Sequence, residues 1–327
     1  MLVPVELTLD QEVPVTAIPP EAHWSENYCF LGYDYVANIG VYLHIGRWAH
    51  EQTIWREQIY VWLPDGSSLS QRALGRGDCS RGPQGALLQF HCEQPGRHWT
   101  LDYTGPAIAT SAEVMLAGPV PDAVPQKLIA HIDFTALGPP MMYEIVDNST
   151  IGRWHYEQEM ALNGSISVNG ITHQLHGHGW RDHTRGPRYL PKLRGHVNTN
   201  GRFADGTFFS CFVLWEERDG EERCIVSEAR FIREGRFIPA TVIDCKRLAT
   251  PADCHQEVRL TLEAEGRRYE FAGLPLNLVV ISNSARFDFI YGISAQTAPL
   301  ASFLQPIRYR CGDAIVEGHC ERSIWLA

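Results

Sequence analysis

The segment from residue 170 to residue 188 concentrates side chains that can transfer protons. Its nineteen residues include four histidines, one aspartate, one tryptophan and three arginines. Strand alternation divides these side chains between two faces. One face carries His176, His178, Trp180 and Asp182. The opposite face carries Gly177, Gly179, Arg181 and His183. The first face combines proton-handling groups with an aromatic ring, and we take it as the candidate site.

Asp182 is the leading candidate for a general acid or base. Burial beside Trp180 would favour its protonated form, whereas pairing with an adjacent cation would favour the carboxylate. A protonated aspartate can donate its proton to an alkene or a carbonyl, and an ionised one can remove a proton from carbon. The alternative is a structural ion pair in which Asp182 holds Arg185 or Arg188 at a strand end.

Two upstream segments supply further candidates. His155 and Glu157 alternate on a strand-like segment, so they could face the same pocket as Asp182. The alternative is an exposed polar face of a sheet. Trp24 precedes an apolar strand and could line the mouth of the first domain, or it could be a core tryptophan at a strand start.

A metal-binding alternative rests on His176, His178 and Asp182. Together with Gly170 they resemble the first half of a cupin motif, in which histidines and a carboxylate bind iron, manganese or zinc. The glycine expected after the acid is replaced by Tyr189, and a second half with its own histidine is missing. Nor does the sequence contain a Gly-x-Ser-x-Gly elbow or a glycine-rich phosphate loop. The leading prediction therefore includes no metal and no other cofactor.

Charge and composition limit the class of protein. The net charge of −10 argues against a nucleic-acid partner, because phosphate binding needs a basic surface. No apolar run approaches the roughly 20 residues of a membrane span, and the acidic, proline-containing start does not match a signal peptide. The nine cysteines include no Cys-x-x-Cys pair, which predicts reduced thiols in a cytoplasmic protein. A homodimer is compatible with the sequence.

Short β-branched and aromatic runs predict an all-β fold. Examples are residues 59–63, 208–215 and 258–262. Turn pairs are predicted at residues 65–66, 163–164, 169–170, 200–201, 205–206 and 265–266. Residues 160–174 indicate two short strands joined at the 169–170 turn. Residues 297–304 are the best candidate for a short helix.

The sequence also contains an internal similarity and a candidate domain boundary. Residues 46–52 (GRWAHEQ) match residues 152–158 (GRWHYEQ), and residues 75–83 match residues 177–187 with a two-residue gap. This pattern favours a duplicated β unit, although chance similarity is the alternative. We place the domain boundary between residues 174 and 175, which gives domains 1–174 and 175–327 with the site near their junction.

Residues 179–188 (GWRDHTRGPR) resemble the Gly-Tyr-x-Asp-His-Asn-Trp-Gly motif of the carotenoid 1,2-hydratase and AttH-like proteins. They are still closer to uncharacterised bacterial relatives with Arg-Asp-His-Ser-Trp-Gly-x-Arg. Looser similarity covers residues 26–28, the strand with His155 and Glu157, and residues 318–321. The resemblance implies two tandem lipocalin-like, calycin-type antiparallel β-barrels. Diels–Alderases and some terpenoid cyclases share that architecture.

In the hydratases, an aromatic-x-Asp pair and an upstream His-x-Trp pair are the proposed catalytic groups. The resemblance assigns Trp180 and Asp182 to the first pair and His155 to the second. Glu157 stands where the second pair has tryptophan, and Arg185 replaces another family tryptophan. These departures remove aromatic shielding of a carbocation, so they favour a more polar, enolisable or oxygenated substrate.

The sequence therefore predicts a cofactor-free acid/base enzyme, a hydratase, cyclase or isomerase, for a small terpenoid-, steroid- or polyketide-like molecule. The predicted catalytic residues are Asp182, His155 and Trp180. The predicted substrate contacts are Glu157, Arg181, His183, Arg188, His178, Trp24 and Glu321. The alternatives are a lipocalin-like binding protein without chemistry and a cupin-like metalloenzyme.

Overall fold

The computed structural model describes residues 6–48, 51–111, 114–115, 123–143, 152–188, 192–283 and 300–325. Within these ranges the chain is built almost entirely from antiparallel strands. The predicted all-β class and the tandem lipocalin-like architecture are confirmed. The chain divides into two compact units between residues 189 and 190.

The first unit contains a closed eight-stranded barrel. The described strands of this unit are β1 (Trp24–Asp34), β2 (Ile39–Trp48), β3 (Glu51–Trp62), β4 (Ser68–Gly75), β5 (Leu88–Gln94), β6 (His98–Thr110), β7 (Gln126–Ala136), β8 (Met141–Met142), β9 (Trp154–Val168) and β10 (Ile171–Pro187), of which all but β5 and β8 form the barrel. The barrel closes because β10 pairs with β9 on one side and with β1 on the other. Strands β5 and β8 add to β6 and β9 outside this ring. A single helical turn, α1 (Leu9–Glu12), precedes the barrel.

The second unit repeats this closure. Its strands are β11 (Leu193–Phe203), β12 (Phe208–Arg218), β13 (Glu221–Arg233), β14 (Arg236–Cys245), β15 (Val258–Ala264), β16 (Arg267–Pro275), β17 (Val279–Asn283), β18 (Leu300–Cys311) and β19 (Ala314–Trp325). Pairing of β16 with β18 and of β19 with β11 closes a second ring of eight strands. A 3₁₀ helix, Pro251–His255, lies between β14 and β15.

Each barrel has its own apolar core, made by the inward residues of its alternating strands. Phe30, Trp99 and Leu162 belong to the first core, and Phe209 and Phe271 to the second. Glycines on β10 let its neighbour approach closely. A Cβ at Gly177 would lie 2.2 Å from the carbonyl oxygen of Tyr33, and one at Gly179 would lie 1.8 Å from that of Leu31.

The motif strand closes the first barrel. Residues 174 and 175, where the sequence places the boundary, are both internal to β10, which pairs with β9 from Ile171 to Arg185. Both copies of the internal similarity also lie in the first unit. The similarity therefore does not correspond to the two barrels.

Two local predictions are wrong. Residues 297–299 of the predicted helix lie outside the described residues, and residues 300–304 begin strand β18, where all five are buried. The pairs at 163–164 and 200–201 lie inside β9 and β11 rather than in turns. Gly164 permits close packing instead, because a Cβ there would lie 2.2 Å from the carbonyl oxygen of His131.

The turn at residues 169–170 is confirmed, but the strands that it joins are long, 15 and 17 residues. Among the described residues, no helix has the length and hydropathy needed to cross a membrane.

Candidate functional site

The motif strand β10 separates its polar side chains between the barrel interior and the barrel exterior. Arg181, His183 and Arg185 point inward, since they lie opposite the inward residues of β1 and β9. Trp180 and Asp182 point outward. The predicted alternation is therefore present, and the two faces contain different chemistry.

The inward face is dominated by an ion pair between Arg181 and Glu12 of α1. The guanidinium donates two parallel hydrogen bonds to the carboxylate, at 2.7 and 2.9 Å. Tyr156 and the backbone amide of Gly96 donate to the same carboxylate at 2.5 and 2.7 Å. Oε1 of Gln158 accepts from Nε of Arg181 and also from Nη2, one of the two nitrogens that bind Glu12. Both charged side chains are fully buried, so this fork-shaped pair is held in a dry environment.

Glu26 forms the second half of this inward network. Its carboxylate accepts from Nε of Arg47 at 2.9 Å and from Nε of Arg185 at 2.8 Å. The imidazole of His183 lies 3.5 Å from the same carboxylate and stacks on Tyr28 with ring centroids 3.8 Å apart. The arginines also donate to backbone oxygens of the N-terminal segment, which ties that segment to the barrel end.

The pKa values of the inward groups reflect burial and pairing. Burial by itself would raise the pKa of Glu26, but His183, Arg185 and Arg47 outweigh it and lower the pKa to about 2. Burial lowers the pKa of His183 to about 4, although Glu26 opposes this change. Arg181 likewise outweighs burial and lowers the pKa of Glu12. At neutral pH this face therefore holds ionised carboxylates beside guanidiniums and a neutral imidazole.

The outward face carries three rows of side chains that run across the strands from β9 towards β4. The middle row is Glu157, Asp182, Cys29, His44, Gln58 and Arg72. The upper row is His155, Thr184, Asn27, Gly46 and Arg56. The lower row is Glu159, Trp180, Leu31, Tyr42 and Tyr60. Most of these residues are buried in the folded chain. We call this surface the outer face.

The acid/base group of the outer face lies on β9 and β10. Asp182 is directly opposite Glu157, and such cross-strand pairs have Cβ atoms about 5 Å apart. Nε2 of His155 lies 3.4 Å from one oxygen of Glu157, and the hydroxyl of Tyr143 donates to the other at 2.9 Å. Nδ1 of His155 lies 2.7 Å from Oγ1 of Thr184. Two carboxyl groups, an imidazole and a phenol therefore share one buried or half-buried site.

A cationic group lies farther along the outer face. An added Cβ at Gly46 would lie 2.3 Å from Oδ1 of Asn27, 2.9 Å from Cε1 of His44 and 3.2 Å from Nη2 of Arg56. The absence of a side chain at Gly46 thus lets three polar side chains converge above it. Burial lowers the pKa of His44 well below its usual value, and the charges of Arg56, Arg188 and Arg72 add to that effect.

The predicted site residues are only partly brought together. Asp182, His155, Glu157 and Trp180 share the outer face, and Trp180 is 2% exposed. Arg181 and His183 are on the inward face, bound to Glu12 and beside Glu26, rather than beside Asp182. Of the two arginines named as possible ion-pair partners of Asp182, Arg185 points inward and binds Glu26 instead.

The remaining predicted residues lie at the margins. Arg188 follows the end of β10 and contributes charge near His44. His178 stacks on Tyr35 at 5.2 Å. Trp24 is half-buried at the start of β1. Glu321 belongs to the second unit, where it lies 3.0 Å from Nε2 of His196.

The cupin-like alternative lacks a ligand set in the part of the chain that the structure describes. There, no three His, Cys, Asp or Glu side chains converge in a way that could hold a metal ion. His176 lies beside Asn163, with Nδ1 3.1 Å from Oδ1, whereas His178 stacks on Tyr35. The two histidines and Asp182 are spread along an extended strand, which separates them by about 7 Å per two residues.

Sequence reasoning missed Tyr143, Thr184, His44 and Arg56. Thr184 lies in the recognised motif, two residues after Asp182, so strand alternation could have predicted that both side chains point outward. The other three are on β2, β3 and the segment after β8, and only strand pairing brings them to the same surface.

Residues 10–296 match the model of a domain of unknown function, DUF7064. The chain belongs to the DUF7064 family. No curated protein sequence matches it. Within solved structures, this DUF7064 protein is similar over its full length to several two-barrel proteins of low sequence identity.

One is a protein described as AttH from Nitrosomonas europaea, with 14% identity and a TM-score of 0.56, covering 96% of this chain and 99% of that one. CghA has 10% identity and a TM-score of 0.57, covering 100% and 98%. Kievitone hydratase from Nectria haematococca has 9% identity and a TM-score of 0.52, covering 98% of each chain. The predicted resemblance to the AttH-like family is confirmed, and at these identities the likeness concerns the fold.

Proposed function

We propose that this DUF7064 protein is an acid/base enzyme of the lyase or isomerase type, a hydratase, cyclase or isomerase for a small hydrophobic molecule. The observation that carries the proposal is the position of Asp182 directly opposite Glu157, with His155 beside Glu157. Paired carboxyl groups next to an imidazole can give and take protons in one site, which such reactions require.

Asp182 is the general acid or base in this proposal. It gives a proton to an alkene or carbonyl of the substrate, or removes one from carbon. Glu157, directly across from Asp182, is the second group of the site that can take or return a proton.

His155 acts on water or on a substrate oxygen. If the hydroxyl of Thr184 donates to Nδ1, then Nε2 carries the proton and points to Glu157. Tyr143 donates to the second oxygen of Glu157 and so fixes the direction of that carboxyl. Trp180, buried next to Asp182 on the lower row, is the aromatic wall of the site.

The fold supports the proposal at a coarse level. A hydratase, kievitone hydratase, has the same two-barrel architecture. CghA, which has also been crystallised with Sch210972, has it too. Fold alone does not determine chemistry, so the proposal depends on the carboxyl pair.

The test measures proton transfer to carbon directly. The protein is incubated in D₂O with a panel of linear and cyclic terpenoids, steroid enones and enolisable polyketide-like ketones, and each compound is examined by mass spectrometry. We expect at least one compound to gain deuterium or to change into a hydrated, cyclised or isomerised product. In Asp182→Asn, which keeps the shape and removes the proton, the rate should fall by roughly 10²–10⁴-fold.

Asp102→Asn is the matched control, because Asp102 pairs with His131 on an exposed part of the same barrel. Its rate should equal that of the wild type. Unchanged turnover in Asp182→Asn would end the proposal. Tight binding of compounds that are never altered would identify a binding protein instead.

A further inference from the structure

Strands β13 and β14 of the second barrel, both described over their whole length, are hydrogen-bonded to each other over only part of it. Their ladder contains five residue pairs and ends at Ala229 and Ala240. Beyond these residues β13 continues beside β12, and β14 continues beside β15 as far as Cys245. Residues 221–228 and 241–245 therefore share no ladder, and we call the gap between these two segments the seam.

One cysteine lies on each side of the seam. Cys224 and Cys245 are equally far, five residues, from the last residue pair of the ladder. Each strand has one bulge in that interval, with Ile225 as the extra residue of β13 and Ile243 as that of β14. A bulge adds one residue and so reverses the alternation of side chains beyond it. If the ladder continued, the two cysteines would therefore lie opposite each other with matching orientation.

Both cysteines are on the inner side of the second barrel. Cys224 lies opposite Trp215 of β12, so the two side chains share a face, and Trp215 and Cys245 both pack against the second apolar core. Both thiols are free, and Cys224 is exposed whereas Cys245 is half-buried. The two thiols interact electrostatically, because burial raises the pKa of Cys224 and the neighbouring Cys245 adds to that effect.

We propose that Cys224 and Cys245 form a reversible disulfide that closes the seam. Residues opposite each other in an antiparallel ladder have Cα atoms about 4.5–5.5 Å apart, and a disulfide bridges Cα atoms about 4.4–6.8 Å apart. The bond thus holds together two strand segments that share no hydrogen bonds in the reduced protein. This inference concerns the second barrel and does not depend on the function proposed for Asp182.

The oxidant is a disulfide of low molecular mass such as oxidised glutathione. The thiolate of the exposed Cys224 attacks one sulfur of this molecule, breaks its S–S bond and releases one glutathione thiolate. The thiolate of Cys245 then attacks the sulfur of Cys224 and releases the second glutathione thiolate. The protons of the two protein thiols pass to the departing thiolates, so two cysteines are oxidised and one glutathione disulfide is reduced to two thiols.

Cys320 is the competing partner, because its thiol also interacts with Cys245. It is fully buried, and burial raises the pKa of the Cys320 thiol to about 11. Thiol–disulfide exchange requires a thiolate that the oxidant can reach. Cys224 is exposed, so it is the cysteine that reacts first.

The experiment maps the bond in the folded protein. The wild type is incubated with oxidised glutathione at about pH 8, where a measurable share of an exposed thiol is ionised, and free thiols are then blocked with iodoacetamide. We expect mass spectrometry of the digested protein to show a peptide pair linked through Cys224 and Cys245. Dithiothreitol should separate the pair. Amides of residues 222–228 should exchange with D₂O at least about tenfold more slowly in the oxidised protein, because local opening of the seam is restricted.

Three variants assign the roles of the two thiols. Cys245→Ser should accumulate glutathione on Cys224, since the thiol that releases it is missing. Cys224→Ser should form no linked pair. Cys79→Ser is the matched control, because Cys79 is a half-buried free cysteine of the first unit, and it should form the Cys224–Cys245 pair like the wild type.

Glutathione that stays on Cys224 of the wild type would overturn the inference, because Cys245 would then be out of reach. A link between Cys245 and Cys320, an unreacted Cys224, or a linked pair that forms only in urea would do the same. So would unchanged amide exchange in the oxidised protein. The wild type alone gives these results, so the outcome does not depend on the folding of any variant.

Discussion

The inward and outward faces of β10 use similar residue types for different purposes. On the inward face, each charged group meets an opposite charge, with Arg181 on Glu12 and Arg185 on Glu26. On the outer face, Asp182 lies opposite another carboxyl, Glu157. The inward arrangement neutralises charge in a dry interior, whereas the outward one places two carboxyl groups on adjacent strands. A high density of charged residues in a motif therefore does not by itself mark a catalytic site.

The second barrel also buries an arginine, but this arginine has neutral hydrogen-bond acceptors. Arg322 on β19 also points inward and donates to a glutamine, Gln305, at 3.0 Å. Its other acceptors are the backbone oxygens of Cys254 and Gln256, at 2.6 and 3.4 Å, rather than a carboxylate. The 3₁₀ helix thus supplies neutral acceptors where the first barrel uses Glu12.

Breaking the ion pair between Arg181 and Glu12 should reduce the stability of the protein more than any other change considered below. Arg181→Met keeps much of the side-chain volume but leaves Glu12 buried without its cation. We expect the free energy of unfolding, measured in urea, to fall by about 3–5 kcal/mol. Glu12→Gln in the same background should recover most of the loss, because no uncompensated charge remains.

Arg322→Met is the matched variant in the second barrel. It removes hydrogen bonds to neutral groups and leaves no buried carboxylate, so the cost should be about 1–3 kcal/mol. Equal losses of unfolding free energy in Arg181→Met and Arg322→Met would contradict the distinction between an arginine paired with a carboxylate and one bound to neutral acceptors.

The second effect is a loss of stability in acid. Folded His183 has a pKa of about 4, whereas the unfolded chain binds this proton near 6.5, so stability falls as the pH decreases from 6.5 to about 4. Ionised Glu26, with a folded pKa of about 2 and an ordinary value of 4.5, contributes stability above pH 4.5 that is lost between pH 4.5 and 2. The His183 part amounts to a loss on the order of 2–3 kcal/mol by pH 4.

Unfolding in urea at a series of pH values measures this dependence. His183→Phe preserves the ring stack on Tyr28 and removes the titrating group, so its stability should change less between pH 6.5 and 4. A variant with the same slope as the wild type would show that His183 is not the group responsible.

A smaller effect is expected on the outer face. Gly46→Ala forces a methyl group to within 2.3 Å of Oδ1 of Asn27, so Asn27, His44 and Arg56 must move. We expect a loss of about 1–3 kcal/mol in unfolding free energy, as for overpacked sites. Wild-type stability of this variant would show that the space above Gly46 is not confined.

The smallest effect concerns the orientation of His155. Thr184→Val replaces the hydroxyl that lies 2.7 Å from Nδ1 by a methyl group of similar size. Stability should fall by about 1 kcal/mol. The rate of deuterium incorporation should fall by about tenfold, because the imidazole is no longer held by both nitrogens. Thr184→Ser keeps the hydroxyl and should restore the rate; failure of this variant to do so would argue against the role of the hydrogen bond.

Much of the fold was accessible from local patterns. The period of two in residues 171–187 predicts which side chains of β10 share a face, and the Asn169-Gly170 pair predicts the turn before it. The resemblance of residues 179–188 to the AttH-like motif implied the two barrels. The wrong turn at 163–164 shows the limit of such patterns, since Gly164 allows close packing in the middle of a long strand.

The candidate site was only partly accessible. Asp182, Trp180, His155 and Glu157 were recognised from motif and alternation, but their mutual position depends on the register of β9 against β10. Arg181 and His183 were predicted to contact substrate because they belong to the same motif. Their partners, Glu12 and Glu26, lie far away in the sequence, and Glu12 is 169 residues from Arg181.

The alternation of β10, the turn that precedes it and the all-β class can be predicted from the amino-acid sequence, because they depend on neighbouring residues and on backbone geometry. Which face of the motif is a closed ion network and which is the candidate site depends on how the whole chain folds. Pairing of β1 with β10 closes the barrel over a long sequence separation, and that closure brings Glu12 and Glu26 to the inward cations. A buried charge requires a partner, and the partner is found through the fold rather than along the chain.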